Sequence, residues 1–307
     1  MRDLLPDIIR AYAPGDLSDV RWRNASDATI RLGSMRAADT RLLFRAYSGP
    51  QGRAKAIYHR EFIARLAEAG IPAEQLLPTT SGTLIATAGD MALVASTASD
   101  EPRLLLDRDA CRRWGNLAAR MHEACVGWRP SARVTAPMLR GGSRAAVRRA
   151  IRCAAPIPAC RAILEDCAQE IADTCARALS SDADMPVHGD LWPGNILVSA
   201  DGLRPVDFVE SGDGSRIVDF ATALRWTTVE GPGSQWEAWI AGYEDVRPSL
   251  RGAELAALPA VASLQQMYWM CVEVEEVAAI GEEDIAPYIE DHCSTIRGWM
   301  TDPPRLA

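Results

Sequence analysis

The stretch His188–Phe208, HGDLWPGNILVSADGLRPVDF, constrains this chain more than any other. Two short runs of aliphatic and β-branched residues, at 196–198 and near 203–208, flank the Asp201–Gly202 turn. That pattern predicts a β-hairpin. Paired strands lie about 5 Å apart, so the pairing sets Asn195 at the entrance of one strand beside Asp207 at the end of the other. Asp190, in the loop before the first strand, falls on the same rim. Two oxygen ligands next to a third carboxylate suit Mg²⁺, a hard ion held by one or two carboxylates and substrate phosphates. Such a donor set points to phosphoryl transfer, where catalysis is mostly positioning and charge neutralisation. The competing reading is a surface turn between two buried elements, and the rest of the chain has to separate the two.

Before this stretch the sequence reads as a small sheet with one helix. ATIRL (28–32) and RLLFRAY (41–47) predict two strands joined by GSMRAAD. REFIARLAEAG (60–70) predicts an amphipathic helix that stops at Gly70 and Pro72. TLIAT (83–87) and MALVAS (91–96) predict a second hairpin. After TASDEP (97–102) the pattern turns helical, over 108–126, 144–180 with a break at Pro156 and Pro158, and most of 218–300. The fold expected is α+β and bilobal, with a small sheet lobe over 1–98 and a larger, mainly helical lobe over 99–307.

Charge and composition narrow the partners. The net charge is −8, and residues 230–302 hold fourteen acids against three arginines. This argues against nucleic acid as the main partner, because phosphate contacts need clustered bases. No apolar run reaches the roughly 20 residues of a membrane span, and MRDLLPDIIRAYAPGD lacks the pattern of a signal peptide. A cytoplasmic protein is expected, with its eight cysteines reduced. Cys160, Cys167 and Cys175 recur at roughly helical spacing. This is read as a helix face packing small thiols, against a metal or redox stripe.

HGDLWPGNILV resembles the catalytic-loop motif H-G-D-x-x-x-x-N of the aminoglycoside phosphotransferase/choline kinase group, which has a protein-kinase-like fold. The likeness continues without a gap. VDFVESGDGSRIVDFA (206–221) is similar to that group's metal-binding segment, WGNLAARMH (114–122) to one of its helices, and IAGYE (240–244) to the helix that often follows. The resemblance implies roles position by position. Asp190 orients the acceptor hydroxyl and takes its proton. Asn195 and Asp207 hold Mg²⁺ on the phosphates of ATP or GTP. His188 supports the loop, and Asp219 is a buried scaffold acid bonded to loop backbone. The group's phosphate-binding lysine falls on Arg45. Glu61 of the following helix is expected as its ion-pair partner, although Lys55, the only lysine of the chain, competes with Arg45 for the phosphates. The phosphate-covering loop falls on RNASDAT (23–29), which has no glycine and would work through backbone N–H groups and the hydroxyls of Ser26 and Thr29. Val209 stands where glycine is usual in the group, and Glu210 is a candidate secondary metal acid.

The resemblance implies a small-molecule kinase that phosphorylates a hydroxyl of an antibiotic-like, aminoglycoside, nucleoside or sugar acceptor, in resistance or self-protection. Trp192 and the acids Glu237, Glu244 and Asp245 are its candidate acceptor contacts. Two alternatives stay open. One is a metabolic kinase of a sugar amine, a choline-like alcohol or a homoserine-like alcohol. The other is a regulatory pseudokinase, favoured by Arg45 and the glycine-free loop and opposed by the intact Asp190, Asn195 and Asp207. Neither a nucleic acid nor a membrane is expected as partner.

Overall fold

The computed structural model describes residues 9–12, 21–24, 30–37, 40–179, 185–228, 234–279 and 284–304. The chain divides into two compact units. The first comprises Met1–Arg103, Arg129–Val134 and Leu197–Val209; the second comprises Leu104–Trp128, Thr135–Ile196 and Glu210–Ala307.

In the first unit, β1 (Arg21–Asn24), β2 (Ile30–Ala37) and β3 (Thr40–Tyr47) precede α1 (Gly52–Glu68), which leads to β4 (Ala86–Ala88) and β5 (Met91–Thr97). They make one antiparallel sheet in the order β1-β2-β3-β5-β4. Side chains alternate across a strand with period two. Leu42, Phe44 and Ala46 of β3 therefore join Met35, Met91, Leu93 and Ala95 in a core on one face. Tyr47 packs on the other face with Ala92 and Val94, against Ala56 of α1 and Val209. Arg45 is in phase with Tyr47, so it too lies on the α1 face.

Two elements here are longer than the sequence predicts. GSMRA belongs to β2 rather than to a connection, and Ala37 pairs with Thr40. Pairing with β3 along eight positions outweighs the weak strand preference of Gly33 and Ser34. α1 begins at Gly52 instead of residue 60. Its first turns bury Lys55 and His59, polar residues that break the apolar period by which a helix is recognised.

The second unit is built from α2 (Arg108–Ala124), α3 (Ser143–Cys153), α4 (Pro158–Ala178), α5 (Ile217–Thr228), α6 (Ser234–Glu244), α7 (Ala253–Ala279) and α8 (Ala286–Thr301). α2 starts at an Asp107 cap that accepts the Ala110 N–H at 2.7 Å. α7 has an 18-residue window apolar enough to cross a membrane, and 78% of that window is buried inside the protein. On α4, Cys160 and Cys175 are buried and Cys167 is half-buried.

Four further short strands surround the opening motif. β6 (Met185–Val187) pairs antiparallel with β9 (Gly212–Gly214), and between them in sequence β7 (Ile196–Ser199) and β8 (Gly202–Pro205) form the expected hairpin. Strand β8 stops at Pro205, so Asp207 is not on it. The β6–β9 pair went unforeseen because three-residue strands, one of them Gly-Asp-Gly, carry no alternation.

α2 and α6 approach so closely that a Cβ on Gly115 would collide with the Trp239 carbonyl oxygen, and one on Gly242 with that of Arg112. The contact continues through Trp114, Trp239, Tyr243 and Phe220, whose rings meet edge-on or stacked at centroid distances of 4.6–6.0 Å. WGNLAARMH and IAGYE are thus the two sides of one helix crossing. Overpacking of this kind costs about 1–3 kcal/mol. Gly115→Ala is expected to lower stability by about that amount, measured by urea unfolding.

Candidate active site

In the second unit, β6 delivers the chain into His188, Gly189 and Asp190. Asp219, in the first turn of α5, fixes that backbone. Its Oδ2 accepts the His188 N–H at 3.1 Å and its Oδ1 the Gly189 N–H at 2.8 Å. His122 of α2 reaches the same carboxylate, Nε2 to Oδ2 at 2.9 Å, while its Nδ1 lies 2.9 Å from the Tyr243 hydroxyl of α6. Burial works to raise the pKa of Asp219, yet His122, His188 and the Gly189 N–H hold it below the ordinary carboxylate value. Gly189 has φ +81°, and a Cβ there would meet the Glu210 carbonyl oxygen, so only glycine makes this turn.

The loop then closes on itself. The Asp190 N–H donates to Nδ1 of the fully buried His188 at 3.3 Å. Asn195 donates through Nδ2 to the Asp190 carbonyl at 2.9 Å and to its Oδ2 at 2.8 Å. The amide oxygen of Asn195 is thereby turned away from Asp190 as an acceptor. Trp192 stacks on Trp226 of α5, 4.6 Å between centroids at 23°. A Cβ on Gly194 would strike the Trp192 ring, so the indole lies between Gly194 and Trp226. It ties the loop to α5.

The first unit carries a second cluster. Arg45 is 5% exposed. Its Nη1 donates to Ser96 Oγ of β5 at 3.2 Å, its Nη2 lies 2.9 Å from Glu74 Oε2, and its Nε lies 3.5 Å from Asp207 Oδ1. Burial opposes the charge on Arg45, but Glu74 and then Asp207 raise its pKa beyond the ordinary value. Asp207 has φ 65°, the only positive φ of a non-glycine among the described residues. Strained backbone of this sort persists where its surroundings over-determine it. Here Phe208 packs against Phe62 and His59 of α1, at 5.5 and 5.8 Å, and Val209 enters the core beneath β5. Val209 is therefore a core residue.

The structure corrects one expected pairing. Glu61 does not meet Arg45: it accepts the backbone N–H and hydroxyl of Ser131, and pairs with Arg60 at 3.0 Å. Glu74, from the segment after α1, takes its place. No sequence signal pointed to Glu74, which sits in the irregular stretch IPAEQ. His122 lies within WGNLAARMH, where nothing in the sequence marks it as the partner of Asp219. Lys55 is buried on α1, and Ser26 and Thr29 lie outside the described residues. Among the candidate acceptor acids, Asp245 receives Arg112 through both its oxygens at 3.1 Å. Glu244 accepts the Ser249 hydroxyl and lies 3.7 Å from Arg251. Those two are engaged as structural charges, whereas Glu237 is exposed on the first turn of α6. Glu210 is buried and accepts the Tyr268 hydroxyl at 2.7 Å.

A five-stranded antiparallel unit with one helix, joined in sequence to a helical unit bearing this loop, is the arrangement of a kinase-like fold. The profile of the phosphotransferase enzyme family (APH) matches residues 22–253. The chain belongs to that family and is a phosphotransferase. None of the curated proteins matches its sequence. Solved structures agree on the fold. A microcompartment-associated aminopropanol kinase shares 18% identity over the whole of both chains, with a TM-score of 0.64. The amicoumacin kinase hAmiN, in complex with AMP-PNP, Ca²⁺ and Ami, shares 14% over 95% of this chain and 93% of its own, with a TM-score of 0.66. A putative fructosamine-3-kinase from Thermobifida fusca shares 23% over 95% and 96%, with a TM-score of 0.53.

Asp219→Ala leaves two backbone N–H groups and His122 without their acceptor. Loss of one partner from such a buried ionic site costs about 3–5 kcal/mol. The variant is expected to lose stability on that scale in chemical denaturation.

Proposed function

We propose that this protein is a kinase of a hydroxyl-bearing small molecule, using ATP or GTP with Mg²⁺, and that its acceptor is antibiotic-like: an aminoglycoside, nucleoside or sugar derivative. The observation that carries the reading is the Asp190 loop. Its backbone is pinned through Asp219, and its carboxylate is oriented by Asn195, which is how a group is prepared to position a nucleophile. In the reaction the acceptor oxygen forms a bond to the γ-phosphorus, the bond from that phosphorus to the β-phosphate bridge oxygen breaks, and the acceptor proton passes to the Asp190 carboxylate. Asp190 is the catalytic residue on this reading.

Asn195 and Asp207 are the proposed metal ligands. Their chemistry fits a hard cation: Asp207 Oδ1 is buried without a hydrogen-bond partner, and the Asn195 amide nitrogen is already committed to Asp190. A bound Mg²⁺ would neutralise charge on the transferring phosphates. Arg45 supplies a fixed positive charge toward the nucleotide, with the first unit serving the nucleotide and the second the acceptor. His188 and Asp219 support the loop. Glu237 is the acceptor-side acid retained, and Trp192 acts by fixing the loop.

An ADP- and GDP-release screen across aminoglycosides, nucleoside and peptide antibiotics, sugar amines and amino alcohols tests the reading. Turnover with a member of the antibiotic groups is expected. Turnover confined to sugar amines or amino alcohols would make it a metabolic kinase, and nucleotide binding without transfer to any member would make it a pseudokinase. Asp190→Ala is expected to abolish transfer while leaving Mg·ATP binding within a few-fold of wild type, measured by calorimetry. Asp207→Ala is expected to abolish the Mg²⁺-dependent thermal stabilisation by ATP. In the wild type that effect is about 2.7 kcal/mol at a hundred times the dissociation constant.

A further inference from the structure

All eight cysteines of the chain are thiols, and six of them are buried. The other two, Cys153 and Cys167, are half-buried, and they differ in what surrounds them. Cys167 donates its S–H to the Ile163 carbonyl, one turn back along α4, at 3.1 Å, and burial pushes its pKa up to about 11. A thiol so raised is little ionised at neutral pH and reacts slowly. Cys153 ends α3 and meets a second thiol and a guanidinium.

α3 packs against α7, and an ion pair fixes how the two helices align: Arg149 Nη2 lies 2.6 Å from Glu275 Oε1. Cys153 is one turn onward from Arg149 along α3, and Cys271 is one turn back from Glu275 along α7. Residues one turn apart share a helix face, so antiparallel helices joined at 149 and 275 also bring 153 to 271. The Cys271 S–H donates to the Cys153 sulfur. That bond, and then the Arg149 guanidinium, hold the Cys153 pKa below the ordinary thiol value against burial and Glu275. The same bond, together with burial, raises the pKa of Cys271. Thiolate character thus falls on the sulfur that solvent reaches, and its neighbour, 2% exposed, keeps its proton directly behind it. In such a pair one sulfur attacks an oxidant and the other resolves the product.

We propose that Cys153 and Cys271 form a reversible redox site, in which a hydroperoxide oxidises Cys153 and Cys271 closes a disulfide that ties α3 to α7. The Cys153 thiolate attacks one oxygen of hydrogen peroxide and the O–O bond breaks. The other oxygen leaves as hydroxide and takes up the proton lost from Cys153. Cys153 is then a sulfenic acid, oxidised by two electrons. The Cys271 sulfur next forms the S–S bond, the S–O bond of Cys153 breaks, and the departing hydroxide takes the Cys271 proton. Two thiols and one peroxide become one disulfide and two waters. A dithiol reverses the link by thiol–disulfide exchange. The inference does not rest on the kinase reading, because neither cysteine is among the residues assigned to nucleotide, metal or acceptor.

The test uses the full chain with hydrogen peroxide as the probe, read by peptide mapping and electrophoresis without reduction. Peroxide in slight excess is expected to give a monomer whose map holds one peptide pair joined through Cys153 and Cys271, and dithiothreitol is expected to separate the pair. Iodoacetamide at neutral pH measures thiolate character, and it is expected to label Cys153 about tenfold faster than Cys167 or more. Arg149→Met is expected to slow that labelling severalfold. In Cys271→Ala the sulfenic acid of Cys153 has no resolving partner and is expected to be captured by dimedone. Cys153→Ser is expected to protect Cys271 from peroxide, and Cys167→Ser to leave the link unchanged. A wild-type protein that shows no joined peptides after peroxide overturns the proposal, as does one joined through other cysteines or between two copies of the chain. Labelling of Cys167 as fast as Cys153 overturns it too. Should Cys271→Ala or Arg149→Met fail to fold, the wild-type map and the two wild-type labelling rates decide by themselves.

Discussion

One buried carboxylate organises the second unit. Asp219 accepts two consecutive backbone N–H groups from the loop after β6 and meets a histidine from the last turn of α2. Backbone donors in a buried loop have no water to turn to, and leaving them unpaired is expensive. The loop therefore has one low-energy course, and Asp190 follows from it. Tyr243 extends the same network into α6 through His122. The helix crossing at Gly115 and Gly242 thus does more than fill space, because it sets how far His122 stands from the acid it must reach.

The first unit solves a different problem with similar means. Asp207 is held in a backbone conformation that most side chains avoid. Its neighbours explain how: Phe208 and Val209 are both buried, one against α1 and the other beneath β5. Apolar anchorage on the C-terminal side and a hairpin on the N-terminal side leave Asp207 little choice of direction. Arg45 reaches the same place from β3 because the strand's alternation puts it on the α1 face. Position in a pleat, rather than any local motif, brings the guanidinium to the carboxylate.

Much of this was legible beforehand, and for identifiable reasons. The hairpin after Asn195 announces itself by alternating aliphatics around Asp-Gly, and HGD-x₄-N with Asp-Phe twelve residues on carries the family likeness. Asp219 and His188 were placed as scaffold by the same likeness. Glu74 was not, since an acid in an irregular segment looks like any solvated acid until tertiary packing buries it. Glu61 looked better because it is on the helix that follows β3, yet the face it occupies looks toward Ser131. A helical wheel cannot fix that without the start of α1, and the buried Lys55 and His59 hid the start. Trp192 is a further case. In the sequence it reads equally as a platform for a ring or as a wedge, and only its stacking on Trp226 shows what its faces touch.

Leu197–Val209, which carries nearly all of the β7–β8 hairpin, belongs to the first unit, although Thr135–Ile196 before it and Glu210–Ala307 after it belong to the second. Val209 completes the core around Tyr47, Ala56, Ala92 and Val94. A ribosome making this protein therefore releases the sheet and α1 long before their last core residue exists. The early segment has to wait, with one hydrophobic seat unfilled, until two-thirds of the chain has emerged.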